Sequence, residues 1–158
     1  MTDKNPNSVW KNPIHFTAFG FGSGTLPIAP GTWGTLVGIL FYVLIQDVSL
    51  SIYLSITAIA AMFGIWICHV TAKDIGVHDH SGIVWDEIVG YLLTMAFAPQ
   101  GLLWIILGFI LFRIFDILKP WPIKWIDQKV KGGLGIMLDD LLAAIPAGVI
   151  LFCLGWIF

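Results

Sequence analysis

The sequence predicts an all-α integral membrane protein, a small bundle of about five transmembrane or partly inserted helices within one domain, residues 1–158. Hydrophobic residues make up 58% of the chain and charged residues 11%, whereas roughly 25% of a soluble domain is charged. Mean hydropathy is +0.88. The apolar residues fall in separate segments near the length that a membrane helix needs, about 20 residues.

Five apolar segments are predicted to enter the membrane, and each begins or ends near polar or turn-forming residues. They are residues 31–46, 50–69, 83–98, 102–118 and 139–157. The first and third are shorter than about 20 residues, so we expect them to tilt, to thin the bilayer locally or to enter it only partway.

The basic residues predict which side each connection faces. Connections 47–49 and 99–101 contain no lysine or arginine, and all eight basic residues lie elsewhere: Lys4, Lys11, Lys73, Arg113, Lys119, Lys124, Lys129 and Lys131. Five crossings put these eight residues on one side, which is cytoplasmic by the positive-inside tendency. Nearly all acidic residues are predicted on the same side, with Asp47 opposite.

Composition also argues against several classes of protein. The net charge of −2 provides no broad basic surface, so nucleic-acid binding is not expected. Cys68 and Cys153 lie in apolar segments without zinc-ligand spacing. The first thirty residues do not resemble a cleaved secretory signal.

The first polar cluster is a glycine-rich stretch, GFGSGTLPIAPGTWGT, residues 20–35. Glycine tolerates positive φ, so such a loop can turn several N–H groups toward an anion, and Pro30 followed by Gly31 and Thr32 suits a helix start that attracts phosphate. The stretch lacks the lysine of a P-loop. An entry turn into the first apolar segment explains it equally well.

The second cluster is TAKDIGVHDHSGIVWDEIVG, residues 71–90. Asp86 and Glu87 lie in the first turn of a predicted helix, where carboxylates meet the positive end of the helix dipole. Acidic groups beside an apolar segment are nevertheless costly without a cation, and we favour a functional role. His78 and His80 flank Asp79, which is weak evidence for a metal.

The third cluster is FRIFDILKPWPIKWIDQKVKGGLGIMLDD, residues 112–140. Arg113, Asp116 and Lys119 are spaced to share one helix face, as an internal row of ion pairs would be. Three further lysines suit contact with an anionic leaflet: Lys124, Lys129 and Lys131.

Asp139 and Asp140 begin the last apolar segment, and Ala143 and Ala144 follow one turn later. Small residues let a neighbouring helix approach closely, so this pair of acids is predicted to reach Asp86 and Glu87. Four like charges would repel one another. A divalent ion removes that repulsion, and ligands that are all oxygens favour Mg²⁺.

Taken together, the three motifs resemble the phosphatidylglycerophosphatase A family of bacterial membrane lipid phosphatases, from Pro13 onward. The resemblance implies Mg²⁺-dependent hydrolysis of the phosphomonoester of phosphatidylglycerophosphate, giving phosphatidylglycerol and inorganic phosphate. It implies a multi-pass enzyme in the bacterial inner membrane whose active site faces the cytoplasm. The acidic positions of the family motifs correspond to Asp79, Asp86, Glu87, Asp116, Asp139 and Asp140, and the basic position to Lys119.

This resemblance gives each residue an expected role. Mg²⁺ would be held by Asp86, Glu87, Asp139 and Asp140, and Lys119 would pair with the phosphate of the lipid. Asp79 or Asp116 would act as a base or support the ligands. Further contacts to the phosphate are expected from Gly22, Ser23, Gly24, Thr25 and Thr32.

Other chemistries fit less well. The residues after Cys68 lack the arginine of a cysteine phosphatase, and the DxDx[TV] motif of aspartyl-phosphate enzymes is absent. Attack by water or by an aspartate both remain open. The alternatives are a CDP-alcohol phosphotransferase, whose DGxxAR motif is missing, a small ion transporter and a non-catalytic subunit. The sequence does not indicate an oligomeric state.

Overall fold

The computed structural model describes residues 7–77 and 80–157 of the chain. Within these ranges it contains seven α-helices, two short 3₁₀ turns (Asn7–Trp10 and Ser23–Thr25) and no strand. The helices are α1 (Pro13–Ala18), α2 (Pro30–Ile45), α3 (Leu50–Ile75), α4 (Trp85–Met95), α5 (Leu102–Leu118), α6 (Ile123–Lys129) and α7 (Gly132–Ile157).

The all-α prediction is confirmed, but the described helices outnumber the predicted five. The two additional helices, α1 and α6, have six and seven residues and lie outside the predicted spans. α4 has 11 residues instead of the 16 predicted at 83–98, which makes it about 16 Å long. A hydrocarbon core about 30 Å thick is therefore too wide for α4 to cross.

α3 and α7 are long and apolar enough to cross a membrane, judged by length and composition. Each has 26 residues, and only 22% and 28% of their apolar windows are buried inside the protein. A core helix of a soluble protein would be mostly buried. Most of the apolar surface of these two helices therefore faces outward.

α7 starts at Gly132, not at Asp139 as predicted. Glycine costs about 1 kcal/mol relative to alanine inside a helix, so the glycines before Asp139 do not favour a helix by themselves. In the structure they allow close packing: a methyl carbon added to Gly133 would lie 1.9 Å from the carbonyl oxygen of Ile65 on α3. Tertiary packing therefore extends the helix, and Asp139 and Asp140 lie about two turns inside it.

The helix ends form two groups. At one end the start of α7 adjoins the end of α3, where Gly132 faces the His69 ring, and the start of α2 adjoins the start of α4, where Gly31 faces Glu87. At the other end, Gln100 Nε2 donates to the Gln46 carbonyl at 3.0 Å. The connections that lack basic residues thus meet at one end of the bundle, as their charge pattern predicted.

α4 is the central helix and packs against α2, α3, α5 and α7. Its buried side chains include Val89 and Tyr91, both fully enclosed. Two hydrogen bonds between α3 and α4 also hold α4 in place. Tyr53 Oη donates to the Leu92 carbonyl at 2.6 Å, and Trp85 Nε1 donates to the Ala60 carbonyl at 3.0 Å. This packing fixes the first turn of α4, which carries Asp86 and Glu87.

The contact between α7 and α3 at Gly133 is testable. Gly133→Ala should destabilise the protein by about 1–3 kcal/mol, because the added carbon overlaps the backbone of α3. The matched control is Leu134→Ala at the neighbouring exposed position, with an expected change within about 0.5 kcal/mol. Thermal unfolding in detergent measures both. Equal melting temperatures for wild type and Gly133→Ala would contradict the packing described.

Candidate active site

Three carboxylates from two helices converge at one end of the bundle. Asp86 and Glu87 come from the first turn of α4, and Asp140 comes from α7. One oxygen from each lies within 4.8 Å of the others. Asp86 is 8% exposed and Asp140 is 2% exposed, so this cluster, the acidic triad, is nearly enclosed by protein.

Arg113 from α5 closes one side of the acidic triad. Its Nη1 lies 2.5 Å from Asp116 Oδ2 and 3.8 Å from Glu87 Oε1. Asp116 in turn lies close enough to Asp140 to interact with it. The predicted pairing of Arg113 with Asp116 is therefore present. The contact of Arg113 with Glu87 joins α5 to the acidic triad.

Glycines make this approach of helices to the triad sterically feasible. A methyl carbon on Gly31 of α2 would lie 2.2 Å from Glu87 Oε1 and 2.9 Å from Arg113 Nη1. One on Gly90 of α4 would lie 3.2 Å from Asp140 Cβ. Any side chain at Gly31 would therefore occupy the space between the start of α2 and the charged groups.

Several polar atoms of the site are buried without a hydrogen-bond partner among the described residues. They are Asp86 Oδ1, Glu87 Oε2, Asp140 Oδ2 and Arg113 Nε. Buried polar groups are normally satisfied, and an unpaired buried charge costs several kcal/mol. The acidic triad with Asp116 faces a single guanidinium. Free oxygens of this kind, grouped within ligand distance, suit a hard divalent cation such as Mg²⁺.

Lys119 lies in a second charged group next to the triad, formed with Asp139 and Asp127. Its amine contacts Asp139 and lies 3.3 Å from Asp127 Oδ1 on α6. Burial lowers the pKa of Lys119, but hydrogen bonds to these two carboxylates and their charges outweigh burial and raise it above its ordinary value. The amine is therefore protonated throughout the physiological pH range.

The backbone at Lys119 is left-handed, with φ of 41°. A non-glycine residue in this conformation is uncommon, and it costs of order 1–3 kcal/mol. Glycine is usual where a helix ends in this way. The lysine is therefore retained at a conformational cost, which points to a role for its side chain.

Asp139 was predicted to lie with the other three acids, but the structure pairs it with Lys119 instead. Neighbouring residues on a helix point about 100° apart, so Asp139 and Asp140 face different neighbours. Its assignment as a metal ligand stays a prediction.

The backbone N–H groups of the glycine-rich stretch have local partners in the structure, and the roles of Gly22, Ser23, Gly24, Thr25 and Thr32 in substrate binding stay predictions. The N–H groups of residues 22–25 all donate to carbonyls of their own segment, and Thr25 Oγ1 donates to the Gly22 carbonyl at 2.7 Å. The Thr32 N–H donates to the Ala29 carbonyl at 2.9 Å. A methyl carbon on Gly24 would lie 2.0 Å from the Gly82 carbonyl oxygen. These contacts favour the entry-turn interpretation, in which Gly24 packs against Gly82 in the segment before α4 and Gly22 packs against Trp10.

Two residues of the site were not predicted as site residues, and a third residue, which was predicted, lies outside the described part of the chain. Arg113 was interpreted as part of an ion-pair row, although a single arginine inside an apolar helix already indicates function. Asp127 carried no signal beyond its charge, because only tertiary packing brings α6 to Lys119. Asp79, predicted as a base, lies outside the described ranges.

Comparison with known proteins gives a consistent result. Residues 16–155 match the family model described as phosphatidylglycerophosphatase A. A protein of Haemophilus influenzae with that name is 48% identical, covering 98% of this chain and 97% of its own. One of Escherichia coli with the same name is 46% identical, covering 91% and 84%.

A Bacteroides thetaiotaomicron protein is 33% identical, covering 87% of this chain and 91% of its own, and its name proposes a phosphatidylinositol-3-phosphatase. No solved structure matches the chain significantly. The resemblance found in the three sequence motifs is confirmed, and the chain belongs to the phosphatidylglycerophosphatase A family of phosphoric monoester hydrolases.

Proposed function

We propose that this chain hydrolyses the terminal phosphomonoester of phosphatidylglycerophosphate to phosphatidylglycerol and inorganic phosphate, with Mg²⁺ as cofactor. Two relatives that are nearly half identical over most of the chain carry the name of this activity. The observation that carries the proposal is the acidic triad at one end of the bundle, enclosed by protein and joined to Arg113. A metal ion binds to negative side chains and a phosphate to positive ones, so a site for both needs the two kinds of charge side by side.

Asp86, Glu87 and Asp140 would hold the Mg²⁺, because their oxygens are grouped within ligand distance and several are unpaired. When bound, the ion neutralises phosphoryl oxygens and offsets charge that develops on them. Arg113 secures Glu87 from the other side. Lys119, protonated and close to Asp139, supplies a positive point charge for the phosphate.

Asp116 is suited to orienting the attacking water. Arg113 holds its carboxylate in place, and because the transition state of phosphoryl transfer is loose, positioning matters more than proton abstraction. Water attacks phosphorus and forms a new P–O bond, the bond to the ester oxygen breaks, and one proton of the water goes to the leaving alkoxide, which departs as the free hydroxyl of phosphatidylglycerol. Asp79 remains the alternative base predicted from the sequence.

We propose that the protein works in the bacterial inner membrane with this site at the cytoplasmic face. Outward-facing apolar residues cover α3 and α7, and the cations Arg113 and Lys119 lie at the site. Trp121 precedes α6 and Trp125 lies within it, and both are exposed where an aromatic belt would meet the lipid headgroups. A lipid substrate in the cytoplasmic leaflet would then present its phosphate at the depth of the acidic triad.

The central test is phosphate release by purified protein over a Mg²⁺ titration. Wild type should release phosphate from phosphatidylglycerophosphate in Mg²⁺ and not in EDTA. Asp140→Asn should raise the half-saturating Mg²⁺ concentration at least about tenfold, because even the partners of metal ligands are worth about 10–100-fold in affinity. Its melting temperature without Mg²⁺ should equal or exceed that of wild type, since one repelling charge is gone.

The matched control for Asp140→Asn is Asp47→Asn, an exposed acid at the opposite end of the bundle, which should leave the Mg²⁺ requirement unchanged. An unchanged requirement in Asp140→Asn would remove Asp140 from the metal site. Release from phosphatidylinositol 3-phosphate but not from phosphatidylglycerophosphate would overturn the proposed substrate.

Variants of Lys119 and Asp139 distinguish two roles for Asp139, as the partner of Lys119 or as a ligand of Mg²⁺. Lys119→Met should raise KM about tenfold or more, since a hydrogen bond to a charged group contributes about 1.5–3 kcal/mol, and Lys119→Arg should restore part of it. Asp139→Asn should change KM without changing the half-saturating Mg²⁺ concentration. If Asp139→Asn shifts the Mg²⁺ requirement as Asp140→Asn does, Asp139 is a ligand, as the sequence predicted.

Sidedness is tested by labelling single cysteines in a background where Cys68 and Cys153 are replaced by alanine. In intact cells an impermeant maleimide should label Asp47→Cys and not Lys73→Cys or Lys129→Cys, all of which are exposed positions. Inverted vesicles should give the reverse pattern. Labelling of position 129 in intact cells would contradict the cytoplasmic location.

A further inference from the structure

An apolar groove of about 310 Å³ lies between α4 and α7, outside the charged site. Leu93 and Phe97 form one wall. The other wall and the floor come from α7, through Ala144, Ile145, Gly148 and Val149. Every side chain named here is apolar, and the groove offers no polar group to a water-soluble ligand.

The groove lies on the same seam between two helices as the acidic triad. Near the triad, Gly90 of α4 packs against Asp140 of α7. Farther along, Gly148 of α7 packs against the Thr94 backbone of α4, with 3.1 Å between the carbonyl oxygen and an added methyl carbon. The seam is therefore continuous from the charged site to the groove.

Helical spacing gives the distance between the two sites. Ala144 follows Asp140 by one turn and Gly148 by two, which places the groove floor about 6 to 12 Å beyond the carboxylate along the axis of α7. On α4, Leu93 follows Asp86 by two turns on the same face. A ligand whose phosphate lies at the triad therefore has its apolar part within reach of this groove.

We propose that this groove binds an acyl chain of the lipid substrate while the phosphomonoester occupies the acidic triad. This inference rests on the proposed function, because it takes the substrate to be a phospholipid. Small residues at Ala144 and Gly148 leave space between the helices, and the exposed Ile145 and Val149 flank that space. A chain held there fixes the depth and direction of the headgroup.

Blocking the groove tests the proposal through substrates of different chain length. Ile145→Trp and Val149→Trp fill space at exposed positions, 55% and 56% accessible, so the fold should tolerate them. Each should lower kcat/KM roughly tenfold for long-chain phosphatidylglycerophosphate, since one methylene more or less in an apolar pocket changes kcat/KM by about 10–200-fold. Neither should change kcat/KM for the deacylated headgroup. The matched control, Ile59→Trp on exposed α3, should leave both values unchanged.

A second measurement does not depend on turnover. A photoactivatable phosphatidylglycerophosphate with a diazirine at the chain end should label peptides containing Phe97, Ile145 or Val149, and excess unlabelled phosphatidylglycerophosphate should suppress that labelling while phosphatidylcholine should not. Suppression by both lipids would indicate ordinary bilayer lipid in the groove and overturn the proposal. Crosslinks between two protein chains across these positions would assign the groove to a second copy instead.

The outcomes separate failure of this inference from failure of the proposed function. Wild type that releases no phosphate from any chain length contradicts the function, whereas labelling still reports on the groove. If wild type is active and the groove variants lose turnover of long-chain and deacylated substrates equally, only the proposal that the groove binds an acyl chain is contradicted.

Discussion

The mutual repulsion of Asp86, Glu87 and Asp140 is the constraint on which the rest of the structure depends. Their oxygens lie within 4.8 Å of one another in a nearly enclosed site. Charges in such a site are poorly screened by solvent, and burying them without partners is costly. Arg113 offsets part of this repulsion and Asp116 adds to it. The fold therefore groups negative charges whose repulsion would fall on binding a cation or a proton, and their oxygens are of the kind that a hard divalent ion prefers.

Close helix packing is what keeps these charges in place. Gly31, Gly90 and Gly133 lie where a methyl carbon would meet a charged side chain, a carboxylate stem or a neighbouring backbone. Without side chains there, α2, α4 and α7 approach closely enough to enclose the acids. Such glycine contacts provide the rigidity that a metal site needs. Other small residues, Ala144 and Gly148, leave the groove open farther along α7.

The sequence was sufficient to predict the helical class, the bounds of α5, the grouping of polar residues at one end and the convergence of Asp86, Glu87 and Asp140. It failed where tertiary packing overrides local preference. The last apolar segment was predicted to begin at Asp139, yet α7 begins at Gly132 because its first glycines lie against α3 and the segment before α7. The separation of Asp139 from Asp140 follows from helical geometry, but only once the start of α7 is known. The meeting of Lys119 with Asp127 depends on α6, a short helix without a clear sequence pattern.

The acidic triad and the charged group around Lys119 differ in how their charges are paired, and this difference suits them to different chemical roles. Lys119 contacts Asp139 and Asp127, so two carboxylates hold its charge in place. The acidic triad contains buried oxygens without a hydrogen-bond partner among the described residues, which suits it to a hard cation. Both groups meet on α7, where Asp139 faces one and Asp140 faces the other. In the proposed function, a phosphomonoester would lie between Lys119 and the acidic triad while its leaving group extends along the apolar seam of α4 and α7. This helix pair would then supply both polar and apolar contacts to a lipid phosphate.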